Sequence, residues 1–66
     1  MYKVVNDNKL IYVANTVGYA KKIAEENKDW AFMQWIFKGN KAYACREVDR
    51  EDWHSCLKVD ISTVLK

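Results

Sequence analysis

Two β-prone runs hinged on one Gly-Asn pair dominate the middle of this chain. Residues 30–38 read WAFMQWIFK, residues 42–48 read AYACREV, and Gly39-Asn40 lies between them. Glycine at the first central position of a two-residue turn suits the II′ geometry that joins antiparallel strands. The spacing therefore predicts a hairpin. Counting outward from the turn pairs Phe37 with Ala42, Trp35 with Ala44, Met33 with Arg46 and Ala31 with Val48. The opposite face pairs Ile36 with Tyr43, Gln34 with Cys45, Phe32 with Glu47 and Trp30 with Asp49. The first face is almost wholly apolar and is expected to lie under a helix. A one-residue slip in the turn would change these pairs.

The flanking segments extend this hairpin into an α+β domain. Residues 2–5 and 10–14 are β-prone and surround Asn6-Asp7-Asn8-Lys9, a cluster that favours a turn. With Asp7-Asn8 as the turn, Val4 faces Ile11 and Tyr2 faces Val13. A helix follows. Asn15 or Thr16 can cap its start, and Val17, Ala20, Ile23, Ala24 and Asn27 recur at helical spacing. Gly18 weakens this helix. So do its charges, with Lys21 and Lys22 early and Glu25 and Glu26 late, against the helix dipole. Packing must therefore hold it, and Asn27-Lys28-Asp29 is the expected stop. The last third fits two patterns. Trp53, Leu57, Val59 and Ile61 alternate like a strand, whereas Trp53, Cys56, Leu57, Ile61, Val64 and Leu65 fit a helix. The β-branched residues favour a strand over residues 54–61. The expected architecture is one domain over 1–66, an antiparallel sheet of four or five strands. Its order along the chain is ββαββ then a fifth strand, with one helix packed on one face.

Composition narrows the function classes. Half of the 66 residues are hydrophobic and 14% are aromatic, which argues against disorder. The formal charge of +2 describes a mixed surface rather than a concentrated basic one. No apolar run is long enough to span a membrane, and no secretory leader is recognisable. A cytoplasmic protein with Cys45 and Cys56 reduced is expected.

No motif carries catalytic chemistry. Gly18 and Gly39 stand alone, so there is no phosphate loop. Cys45, Glu47, Asp49, Asp52, His54 and Cys56 form the one local gathering of metal-type ligands. Their spacing lacks the close Cys pairs of structural zinc sites. Cys56 and His54 form no complete nucleophile constellation, and a core this small is expected to lack a cleft of ligand size. The chain is thus read as a non-enzyme without cofactor or metal.

The remaining signal is aromatic. Trp30, Phe32, Ile36 and Tyr43 are expected to share the sheet face away from the helix, with Gln34, Arg46, Glu47 and Asp49 as a polar rim. Either the C-terminal segment covers them or they dock a folded protein, since Trp and Tyr are favoured interface anchors. The leading expectation is a small binding module that inhibits or modulates a larger protein, of a kind that a phage or mobile element would encode. The candidate surface is Trp30, Phe32, Gln34, Ile36, Tyr43 and Glu47. A second reading is a nucleic-acid binder, with bases stacked on the aromatics and Lys38 and Lys41 alongside. A third is a homodimer closed through the same patch.

Overall fold

A computed structural model describes residues 1–50 and 52–65. The elements run β1 (Tyr2–Asn6), β2 (Lys9–Ala14), α1 (Val17–Glu26), a 3-10 turn (Lys28–Trp30), β3 (Met33–Lys38), β4 (Lys41–Glu47), β5 (His54–Ser55) and α2 (Ile61–Val64). The strands form one antiparallel sheet in the order β2-β1-β3-β4-β5. The small α+β domain expected from the sequence is the observed class.

Both hairpins turn where the residues demand. Gly39 has φ 63, the left-handed value that glycine adopts without steric cost. Asp7 has φ 55, tolerated because its short carboxylate can bond the nearby main chain. Thr16 caps α1 by accepting from the Tyr19 amide at 3.1 Å. At the other end, the Asn27 side chain donates to the Ile23 carbonyl at 2.9 Å. The first turn has no acidic residue and the last no basic one, so the dipole goes uncompensated and packing does the stabilising.

The expected registers hold only near the turns. Asn6 pairs with Lys9 and Val5 with Leu10, but Val4 then pairs with Tyr12, so Ile11 is an extra residue. Phe37 pairs with Ala42 as expected, but Ile36 then pairs with Ala44, leaving Tyr43 as the extra residue. Beyond each bulge the pairing moves by one. Trp35 meets Cys45, Gln34 meets Arg46 and Met33 meets Glu47, correcting the sequence-derived pairs. The shift sets Arg46 beside Gln34, where the two side chains bond.

The faces are also exchanged relative to expectation. Ile36, Val4 and Ala14 pack with Ala20 and Ala24 under α1, with Tyr2, Ile11, Ile23 and Trp53 around them. Val5, Phe37 and Ala42 lie on the other face, with Trp35, Cys56, Val59, Ile61, Val64 and Leu65 packed against them. The physical reason lies in the two covers. The small residues of α1 bring its backbone close to the sheet, and Gln34 reaches the Ala24 carbonyl at 2.7 Å. The large rings of Trp35 and Phe37 need aliphatic partners, which the C-terminal segment supplies.

That segment is neither the strand over 54–61 nor one helix. His54 and Ser55 pair with Cys45 and Ala44, a turn at Leu57-Lys58 interrupts the ladder, and Asp60 rejoins β4 opposite Lys41. Ile61, Val64 and Leu65 then follow helical i, i+3, i+4 spacing, which turns all three toward the aromatics. A continuing strand would have sent Val64 and Leu65 to opposite faces. The expectation of two reduced thiols is also corrected. Pairing of β4 with β5 joins Cys45 to Cys56 in a disulfide, with a Cα–Cα distance of 6.2 Å.

A polar network replaces apolar packing at one point beneath α1. Gln34 is fully buried and Arg46 is 3% exposed. The Gln34 amide nitrogen donates to Asn6 Oδ1 at 2.9 Å, and Gln34 Oε1 accepts from Arg46 Nε at 2.9 Å. Arg46 also reaches Glu25 at 3.3 Å and lies 4.7 Å from the centre of the Trp53 ring. Glu25 bonds Lys28 at 2.6 Å. The Lys28 hydrogen bond is the main reason that the Glu25 carboxyl sits below its ordinary 4.5, with Arg46 adding to it and desolvation opposing. A depressed carboxyl contributes stability above its unfolded value, and that contribution disappears as pH falls through the folded value. Urea melts of wild type and Glu25→Gln are therefore expected to differ near neutrality and converge on the acid side of 4.5. A constant difference across that range would refute this assignment.

Candidate functional site

The end of the sheet holding the β1–β2 turn presents two exposed aromatic rings on a fixed main chain. The Asp7 carboxylate accepts from the amides of Phe32 at 3.1 Å and Met33 at 3.0 Å. The Asp7 amide donates to the Met33 carbonyl at 2.7 Å, and the Val48 amide donates to the Phe32 carbonyl at 3.0 Å. Both polar main-chain groups of Phe32 are thus held, yet its side chain lies outside the core and the residue is 89% exposed. Trp30 closes the 3-10 turn, donating its amide to the Asn27 carbonyl at 3.2 Å. The same carbonyl accepts from the Asn6 side chain at 3.2 Å, tying the turn to β1. Trp30 is 82% exposed.

Each ring borders a surface hollow. One, of about 600 Å³, is lined by Ala31, Phe32, Met33, Glu47, Val48 and Asp49. The other, of about 340 Å³, includes Asn6, Asp7, Ile11, Asn27 and Trp30 in its wall. Both are open surface hollows rather than clefts in the core. Glu47 and Asp49 give the first hollow an acidic side, with Arg50 bridging to Glu47 at 3.4 Å.

The structure divides the six candidate surface residues. Phe32 and Glu47 share one hollow and Trp30 borders its neighbour. Gln34 and Ile36 are fully buried beneath α1 and cannot face a partner in the folded chain. They left the expected surface because α1 packs on their side of β3. Tyr43 is half-exposed and meets Tyr2 edge to face at 5.8 Å. It lies near the opposite end of the hairpin, towards Lys38 and Lys41. Sequence reasoning read Asp7 only as a turn residue and missed its clamp on Phe32. The left-handed tolerance of Asp is a local signal, but its acceptor role needs the fold to bring residue 32 within reach.

Among the described residues, no three His, Cys, Asp or Glu side chains converge as a metal site, and no helix is long and apolar enough to cross a membrane. No family model, curated protein or solved structure matches this chain.

Proposed function

We propose that this chain is a non-catalytic protein-binding module that docks a folded partner through Trp30 and Phe32 and thereby inhibits or modulates it. The observation that supports this reading most is the Phe32 backbone, bonded on both sides while the ring stays in water. A ring presented on an ordered main chain loses little further freedom on binding, so more of its burial appears as affinity. Trp30 adds a second large anchor, and the hollows beside the rings give a partner's side chains somewhere to seat. Glu47 and Asp49 favour a partner that brings Lys or Arg to the rim.

Trp30→Ala and Phe32→Ala are each expected to change stability by within about 0.5 kcal/mol, because neither ring is in the core. Each is expected to weaken the complex with the partner captured from host lysate by roughly thirtyfold or more, the loss typical of an interface anchor. Both variants binding that partner as tightly as wild type, in calorimetry, would reject the site. The cytoplasm remains the compartment of this reading. There the Cys45–Cys56 bridge meets thiol reductants.

One observation favours nucleic acid as a second reading. Tyr2 and Tyr43 lie together near the hairpin end that carries Lys38 and Lys41, combining rings with cations. Binding there would weaken steeply with salt. Absence of any shift with single- or double-stranded oligonucleotides at low salt would remove it.

A further inference from the structure

Among the described residues, the face carrying Trp35 and Phe37 is covered by the chain from Cys56 onward, and that cover is thinly attached. β5 contributes a two-residue ladder, and α2 is a single four-residue turn. Across the seam, the Ala42 amide donates to the Val59 carbonyl and the Ile61 amide to the Asn40 carbonyl, both at 2.8 Å. The Lys41–Asp60 ion pair at 2.8 Å is largely exposed, with side chains 67% and 49% accessible, so solvent screens it. Against Val5, Phe37 and Ala42 the cover brings Val59, Ile61, Val64 and Leu65. Ordering residues 56–65 costs conformational freedom that the partial burial of four aliphatic side chains does not return in full. The attachment is therefore a weak balance that leans on the disulfide. A covalent loop between residues 45 and 56 shifts such a balance by roughly 100-fold.

We propose that Cys45–Cys56 is a redox latch, whose reduction by a dithiol frees residues 56–65 and uncovers the Trp35–Phe37 face while the rest of the sheet and α1 stay folded. Cys45 is 6% exposed, whereas Cys56 is only partly buried, so the incoming thiolate attacks the Cys56 sulfur. The S–S bond breaks, Cys45 leaves as a thiolate and takes a proton, and Cys56 is held in a mixed disulfide. The second thiol of the reductant resolves it, releasing the Cys56 thiol and leaving the reductant oxidised. Two electrons and two protons pass to the protein. The opposite core, built from Val4, Ala14, Ala20, Ala24 and Ile36, shares no residue with the cover and keeps its packing.

Amide hydrogen exchange on the full chain, before and after dithiothreitol, tests the latch. The Ala42 and Ile61 amides are expected to exchange roughly 100-fold faster once the bond is reduced, because both donate across the seam. The Asn27 amide and the amides that pair β1 with β3 are expected to keep their protection. Cys45→Ala/Cys56→Ala should behave like the reduced protein with no reductant present. Three outcomes overturn the proposal. Full protection of Ala42 and Ile61 after reduction makes the bond dispensable to the cover. Loss of protection at all amides together makes the bond a global staple. Two free thiols in a titration of the air-oxidised protein remove the bond itself.

Discussion

Gln34→Ala is expected to destabilise the fold by roughly 3–5 kcal/mol, a large share of the stability of a domain this size. The loss does not come mainly from cavity formation. Gln34 bridges Asn6 Oδ1 and the Ala24 carbonyl on one side and Arg46 Nε on the other. Removing it takes a hydrogen bond from three polar groups; the Ala24 carbonyl keeps the Asn27 amide, but Asn6 Oδ1 and the Nε of a guanidinium that is 3% exposed lose theirs. A buried donor or acceptor without a partner costs about 1–3 kcal/mol, and more when charged. Gln34→Leu separates the causes, since it restores volume but not the bonds. It is expected to remain nearly as damaging as alanine. Adding Arg46→Leu to it removes the guanidinium as well, so the double variant should lose less than the two single losses combined. Urea melts of the wild type and the four variants, Arg46→Leu alone included, measure these losses. A loss below about 1 kcal/mol for Gln34→Ala would show that the network is not a pillar of the fold.

Phe37→Ala is the second large loss, at roughly 3–5 kcal/mol. Phe37 is fully buried and stacks on Trp35 with ring centres 5.8 Å apart and planes 20° from parallel. It is also the surface on which Val59, Ile61, Val64 and Leu65 seat. Its removal should therefore reach the C-terminal cover first, with the near-UV dichroism from Trp35 lost at lower urea than the helical signal of α1. The opposite order would mean that Phe37 supports the helix, as alternation and composition alone suggested.

These residues mark where the sequence was readable. The turns at Asp7-Asn8 and Gly39-Asn40 were legible because the requirement is local: a left-handed backbone needs Gly, or an Asp or Asn that can bond its neighbours. The helix was legible from its period, and Thr16 from its capping oxygen. The bulges at Ile11 and Tyr43 were not. A bulge leaves no mark in alternation until the far partners are known, and each displaced every pair beyond it. The face of β3 was misassigned for a separate reason, since alternation does not say which side α1 covers. Ile36 and Gln34 were assigned to an outer face and are buried, whereas Trp30 and Phe32 are exposed because they precede the strand, not because they belong to an outward face of it.

The C-terminal segment makes the same point from the other side. Val59, Ile61, Val64 and Leu65 carry both a strand pattern and a helix pattern. The choice was made by what they had to cover. Two flat stacked rings accept one helical turn, with three side chains on one side, better than a strand that sends alternate residues away.

Local chemistry thus determined the turns, the helix and the mixed α+β class. Each of these depends on residues within a few positions of one another. The tertiary structure alone decided which face of β3 lies under α1, that Cys45 and Cys56 meet, and that Asp7 holds the backbone beneath an exposed Phe32. Those outcomes rest on contacts between residues 10–36 positions apart in the sequence. Strand alternation offers two equivalent faces, and only the competition between two covers distinguishes them.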